Sequence, residues 1–274
     1  MTGSPPTDEF RLFAQSLVRE AGSVAANHIG RVSVSHKADD SPVTEADHAV
    51  QAAIFDAIAQ RYPDHAVIGE ETVRHPDRHA PAHSARYCWV VDPIDGTRNF
   101  AQGMSIYAAS VAVLDGGAPL AGAIFDASSG GVYSAGLGAG ADFEGAPLQV
   151  SSSRTASDLT VLVSSFRRRP APIVMRDWMD EYTFRNHGSL CLHLAWLARG
   201  RADGAFAREC RLWDIAAGAL MVAEAGGRIT YDDGSALWPI DLDRYDGADI
   251  PILAGTPSVY ARLLDSLRAI PGRD

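Results

Sequence analysis

The stretch "YCWVVDPIDGTRNF", residues 87–100, constrains this chain more than any other. Cys88, Trp89, Val90 and Val91 form an unbroken apolar run that reads as a buried strand. The run leads straight into Asp92, and Asp95 comes next with only Pro93 and Ile94 between them. A carboxylate just past a buried strand lies at the strand's carboxyl end, where the ligand sites of α/β sheets gather. Two carboxylates that close repel each other unless a proton or a cation sits between them. Oxygen ligands of this kind suit Mg²⁺, which takes one or two carboxylates together with waters and phosphate oxygens. Pro93 stiffens the turn, Gly96 lets backbone approach a ligand closely, and Thr97 supplies a hydroxyl able to orient water. The Thr97 amide could open a helix N-terminus, a natural seat for phosphate.

The same residues also read as an Asp-Pro turn followed by an Asp-Gly turn, both common loop formers. Spacing disfavours two other readings. An EF-hand loop needs Gly at its sixth position and an acid at its twelfth; counted from Asp92 these are Thr97 and Gly103. Phosphatases that form an aspartyl-phosphate in D-x-D-G-T carry the nucleophile two residues before the second Asp, whereas the spacing here is three. Other acids stand where elements start or stop: Glu70 and Glu71 after the strand "AVIG", and Asp214 heading "WDIAAGALMVAEAGG". Taken singly, the glutamates are a solvated strand end, Asp214 is an N-cap, and Asp47 forms a capping box with Thr44.

Around these points the chain mixes helical and strand patterns. Thr7 can cap a helix with Asp8 and Glu9 in its first turn, and Phe10, Phe13, Leu17, Val24 and Ile29 recur at helical spacing. "SHKADDSPVTEAD" is a polar loop leading into a helix through Ile54, Phe55 and Ile58, and the stretch 75–83, rich in His and Pro, is a surface loop. "IYAASVAVLD", "PLAGAIFD" and "GGVYSAGLG" read as successive strands. After a Ser-rich joint at 150–158, strand "TVLVSS", a helix near 172–181, a strand, a helix over 189–199, strand "DGAFA", a helix over 214–225, strand "GRIT", strand "ILAG" and a closing helix alternate. An α+β half, residues 1–150, is thus expected before an α/β half, residues 151–274.

With 274 residues, 46% of them hydrophobic, the chain can bury a sizeable core. The 24 Lys plus Arg against 34 Asp plus Glu leave a net charge of −10. Such a surface repels a phosphate backbone and anionic lipid, which argues against nucleic-acid polymers and membranes as partners. Cys88, Cys191 and Cys210 are odd in number and unclustered, which disfavours a disulfide framework or a structural zinc site. The N-terminus lacks a secretory signal, and no apolar stretch approaches membrane-spanning length. A soluble, cytoplasmic protein is expected.

"GEE" at 69–71, "WVVDPIDGTRNF" at 89–100 and "WDIAAGALMVAEAGG" at 213–227 resemble, in order and separation, the hallmark motifs of the inositol monophosphatase family. "SPVTEAD" at 41–47 and "GRADG" at 200–204 fit the same pattern, so the resemblance spans essentially the whole chain. It implies a Mg²⁺-dependent, lithium-sensitive phosphomonoesterase, usually dimeric, with the layered α/β/α/β/α architecture of the inositol monophosphatase and fructose-1,6-bisphosphatase type. By the resemblance, Glu70, Asp92, the Ile94 carbonyl, Asp95 and Asp214 would hold about two or three Mg²⁺ ions. Glu70, Thr97 and Asp47 would be catalytic, the last two orienting the attacking water, with Glu71 in a supporting role. The amides of Gly96 and Thr97 would receive the phosphate.

Substrate contacts are expected from Asp95, Gly188, Ser189, Leu190, Ala207, Arg208 and Glu209, with Arg211 a further candidate. Inositol-specific members carry a glutamate where Ala207 stands, seven residues before Asp214, and a small residue where Leu190 stands. These departures point away from inositol phosphate itself. "KADDSPVTEAD" is more similar to the loop of histidinol-phosphate phosphatases and nucleotide 3′-phosphatases, and a specialised sugar, cyclitol or nucleoside phosphate is equally open. A binding or regulatory protein on the same fold is the reading of a different class. His193, among Leu190, Leu194 and Leu197, reads as a packed core residue, and Trp178, Trp196 and Trp238 as core or interface aromatics.

Overall fold

The structure, a computed structural model, describes residues 6–31, 34–36, 42–71, 85–152, 158–168 and 170–269. Residues 37–41 of the expected polar loop, the His- and Pro-rich stretch 75–83 and residues 153–157 of the Ser-rich joint lie outside the described residues. The chain runs α1 (Thr7–Ala26), β1 (Val34–His36), β2 (Pro42–Thr44), α2 (Glu45–Arg61), β3 (Ala66–Gly69), β4 (Tyr87–Asp95), α3 (Thr97–Ala101), β5 (Ala108–Asp115) and β6 (Ala118–Asp126). It continues with β7 (Gly131–Gly136), β8 (Gly140–Phe143), β9 (Ala146–Pro147), β10 (Thr160–Val163), α4 (Met175–Glu181), β11 (Thr183–Arg185) and α5 (Leu190–Ala198). The last elements are β12 (Gly204–Ala207), α6 (Leu212–Glu224), β13 (Arg228–Tyr231), β14 (Ile252–Gly255) and α7 (Pro257–Arg268).

Strands β3 to β9 form a seven-stranded sheet in chain order, antiparallel except for the parallel pair β3 and β4. The second sheet has five strands in the order β11-β10-β12-β14-β13, with β10 parallel to both its neighbours. Because strand side chains alternate in direction, each sheet feeds two cores. Trp89, Val91, Val111 and Val113 of the large sheet pack on α1 and α2 through Phe10, Leu17, Ile54 and Ile58. Val90, Ala112, Leu114 and Ile124 point the other way, onto α5 and α6 and, across them, Leu162, Ala205, Ile252 and Ala254 of the small sheet. That sheet's outer face, Val161, Phe206 and Leu253, is covered by Trp178 of α4 and by Val259, Leu263 and Leu267 of α7.

The result is the expected α/β/α/β/α layering. It accounts for two sequence patterns. Strand β4 is apolar without alternation because both its faces are covered. Helices α5 and α6 are apolar nearly all round because sheets flank them on both sides. The two helices also touch closely: a Cβ on Gly218 would sit 2.6 Å from that of Leu194.

Several local expectations differ. Thr7 is the first helical residue rather than the cap, since the Pro6 carbonyl already accepts the Phe10 N–H at 3.0 Å. Helix α1 stops before Ile29, and the helix expected near 172–181 starts only at Met175. The described ends of the polar loop pair as a ribbon, β1 with β2, and the hairpin of β8 and β9 was hidden by the Gly-rich "GAGADFEGAP". His193 and Trp178 are buried as expected. No helix among the described residues is long and apolar enough to cross a membrane.

Candidate active site

Asp92 and Asp95 owe their geometry to an irregularity in β4. Residues three apart in a regular strand face opposite sides. Here Asp92 pairs with Ser110 and Asp95 with Ala108, so three steps on β4 match two on β5. One extra residue is therefore bulged out, and a bulge re-aims the side chains beyond it. Asp95 thereby rejoins the side of the sheet that Asp92 faces. Pro93 is tolerated in the bulge because a bulged residue need not donate to the ladder.

The chain then turns sharply. Gly96 has φ +90°, and a Cβ there would lie 3.0 Å from the Ile106 carbonyl oxygen and 3.3 Å from that of Gly188, so only glycine fits. Thr97 opens the short helix α3, and its Oγ1 donates to the Ile94 carbonyl at 3.0 Å with Asp47 Oδ1 3.5 Å away. Asp47 is fully buried and fixed at the third position of α2, where its Oδ2 accepts from the Thr44 N–H at 2.8 Å and the Thr44 hydroxyl at 2.5 Å. The capping box read from the sequence is thus present, and it aims the second Asp47 oxygen at Thr97.

The second half of the chain closes the site. Asp95 Oδ2 accepts from the Ser189 hydroxyl at 2.6 Å and from the Cys191 N–H at 2.7 Å, at the N-terminus of α5. Asn99 donates from Nδ2 to the carbonyls of Ile106 and His187, each at 2.7 Å, tying the turn after β4 to the loop before α5. Asp214 lies at the third position of α6 rather than at the N-cap, and its Oδ2 accepts from the N–H of Arg211, the cap residue, at 2.7 Å. Burial, with Asp95 and Glu70 close by, pushes the Asp214 carboxyl up to about 8. Asp95 is likewise raised by burial, against the pull of its donors.

Asp92, Asp95, Asp214 and Glu70 therefore form one electrostatic cluster, whose buried carboxyls repel one another unless a proton or a cation lies between them. Among the described residues, no three acidic, His or Cys side chains converge on one point at coordinating distance. Asp95 and Asp214 instead lean on local donors. The donor set is nonetheless all hard oxygen, and a divalent cation would cancel the repulsion. The residues fit Mg²⁺.

A cleft of about 950 Å³ lies over this cluster. Glu70, Asp95, Gly96, Thr97, Gly188, Ser189, Leu190, Glu209, Arg211 and Asp214 line it. Asp92 and Ile94 lie beneath its floor, buried. Two expected substrate contacts lie elsewhere. Ala207 is fully buried in the core between the sheets, because all four residues of β12 are covered. Arg208 lies outside the cleft lining and faces Asp232, 3.6 Å away. Sequence reading passed over Asn99 and the Arg167–Arg168 loop, which also line the cleft. A triple arginine one residue after "TVLVSS", beyond the carboxyl end of a parallel strand, was the signal available for the loop.

Comparison with known proteins agrees with this architecture. Over 260 residues the chain is 32% identical to the Nus factor SuhB of Escherichia coli strain K12, covering 91% of this chain and 92% of that protein. The crystal structure of extragenic suppressor protein SuhB from Bartonella henselae matches with a TM-score of 0.81 and 29% identity, over 93% of this chain and 96% of that one. SaIMPase-II matches with a TM-score of 0.75 and 26% identity both when bound to inositol monophosphate, over 95% and 94% of the two chains, and when bound to 2′-AMP, over 94% and 93%. With residues 7–271 matching its profile, the chain belongs to the inositol monophosphatase family.

Proposed function

We propose that the protein is a Mg²⁺-dependent phosphomonoesterase that hydrolyses a small-molecule phosphate, an inositol-phosphate-like polyol or sugar phosphate, with an activated water. The observation that carries this reading is the cluster of Asp92, Asp95, Asp214 and Glu70 under an open cleft, so crowded that Asp214 is pushed up to about 8. Glu70, Asp92, the Ile94 carbonyl, Asp95 and Asp214 would hold the metal. Bound Mg²⁺ supplies charge that offsets the transferring phosphoryl group and lowers the pKa of water.

The chain's own residues do the positioning. Thr97 gives its hydroxyl proton to the Ile94 carbonyl, so its lone pairs are left to accept from a water in the cleft. That contact fixes the water's own lone pair toward the phosphorus. Asp47 Oδ1, its carboxylate locked by Thr44, lies on the far side as the alternative acceptor for the Thr97 proton, 3.5 Å away. Glu70, at the end of β3 and open to the cleft, is the candidate to take the water's proton. The N–H of Glu71 is tied to Gln51 Oε1 at 3.1 Å, in keeping with a supporting role that keeps Glu70 in place. The amides of Gly96 and Thr97 are the proposed phosphate seat. Ser189 serves by holding Asp95, while Gly188, Leu190 and Glu209 shape the wall that meets the rest of the substrate.

Histidinol phosphate and a 3′-phosphonucleotide are the alternative substrates within this class, and the two SaIMPase-II complexes support breadth between polyol and nucleotide esters. Lithium sensitivity, a homodimer and a cytoplasmic location belong to the same reading. A second reading, a binding or regulatory protein, is favoured by the relative that is a Nus factor. The discriminating assay is Mg²⁺-dependent phosphate release, with and without Li⁺. Its panel holds inositol 1-phosphate, histidinol phosphate, adenosine 3′,5′-bisphosphate, fructose 1,6-bisphosphate and several sugar and nucleoside monophosphates. A preferred, lithium-sensitive substrate whose turnover is lost in Asp92→Asn, with the melting transition kept, supports the enzyme. Activity retained in Asp92→Asn refutes the assigned site, and no turnover anywhere favours the binding protein.

A further inference from the structure

The cleft is electrically two-ended. Its floor gathers Glu70, Asp95 and Asp214 above the buried Asp92, whereas Arg167, Arg168 and Arg211 line its wall. On a chain with a net charge of −10, a basic wall this close to an acidic floor is conspicuous. Much of its charge is already used. Arg168 pairs with Asp249 at 2.8 Å and with Glu209 at 3.5 Å, and Arg211 pairs with Asp249. Glu209, its side chain only 6% exposed, also accepts from the backbone N–H of Arg167 and of Arg168, which fixes the loop after β10 against the start of α6. Arg167 is different: among the described residues its guanidinium makes no ion pair, it is exposed, and it lines the cleft. Its backbone is pinned while its side chain stays available.

We propose that Arg167 is a second anion subsite, so that the favoured substrates are phosphomonoesters bearing another phosphate or carboxylate remote from the scissile ester. This rests on the phosphatase reading. The metal-loaded floor would take the phosphoryl group, and the guanidinium fork would take the second anion in bidentate fashion. The carboxyl end of a parallel strand is where such a ligand contact is expected.

The test uses substrate pairs that differ only in the second anion: adenosine 3′,5′-bisphosphate against adenosine 3′-phosphate, and 3-phosphoglycerate against glycerol 3-phosphate. The readout is the ratio of kcat/KM within each pair. Wild type should favour the doubly anionic member in at least one pair, chiefly through KM. Arg167→Ala should lower that ratio about tenfold or more, and Arg167→Lys should recover part of it. The two pairs separate a phosphate subsite from a carboxylate subsite. A ratio near one in both pairs, or one that Arg167→Ala leaves unchanged, overturns the proposal. If wild type releases no phosphate from any of them, the same pairs are titrated calorimetrically with Mg²⁺ present. A binding preference lost in Arg167→Ala then keeps the subsite while the hydrolytic reading fails, and equal binding of both members overturns the subsite as well.

Discussion

His193 is 1% exposed, and burial beside His187 lowers its pKa to about 3. Its Nε2 accepts the His187 N–H at 3.1 Å, so the neutral ring carries its proton on Nδ1 and has no room for a second charge. An unfolded histidine titrates near 6.5. Between about pH 6.5 and pH 3, then, the unfolded chain binds a proton that the folded chain refuses. The contribution of this residue to stability is complete above that window and falls as pH drops through it. At pH 5 the gap amounts to about 1.5 pKa units, or ~2 kcal/mol at 1.36 kcal/mol per unit. For a chain of this size that corresponds to roughly 4–8 °C in Tm. His193→Gln keeps an acceptor for the His187 N–H but removes the titration. The assay is Tm at pH 7 and pH 5 for both proteins, in which all other titrating groups cancel. Wild type should lose about 4–8 °C more than the variant on acidification. Equal losses would show that His193 is protonated in the native state, and the buried-neutral assignment would fall.

Two further outcomes concern the site itself. Gly96→Ala forces a side chain into positive φ against the Ile106 carbonyl, and should lower stability by about 1–2 kcal/mol in chemical denaturation while abolishing phosphate release; a silent substitution would refute the tight turn. With metal chelated, Asp214→Asn should be more stable than wild type at pH 8–9, with a gap that narrows toward pH 5. A raised carboxyl contributes its stability below the ordinary carboxylate range and loses it as pH rises through about 8. A gap independent of pH would show that Asp214 ionises normally.

The large features were legible because few arrangements satisfy them. An apolar run such as "CWVV" must be covered on both faces, and "LCLHLAWLA" must be covered all round, so a layered fold resulted. The acids at element ends marked the site. What the sequence could not show is direction. The D-x-x-D spacing is visible, but its two acids share a side only because the ladder with β5 slips by one residue. The resemblance marked Ala207 and Arg208 as substrate contacts, yet one is core and the other turns toward Asp232. Ser189 fell within the expected substrate wall, but that its hydroxyl goes to Asp95 depends on where α5 starts relative to a strand about ninety residues earlier.

The shared middle layer has a consequence for biosynthesis. Ala112, Leu114, Ile124 and Tyr133 are made early, but the helices that cover them, α5 and α6, begin only at Leu190 and Leu212. Until those segments leave the ribosome, the nascent large sheet presents one wet apolar face with nothing from its own chain to shield it. The large sheet therefore stays covered on one face only until α5 and α6 have been made. The acidic pocket, which needs Asp214 of α6 beside Asp92 and Asp95 of β4, is complete only once α6 has been made.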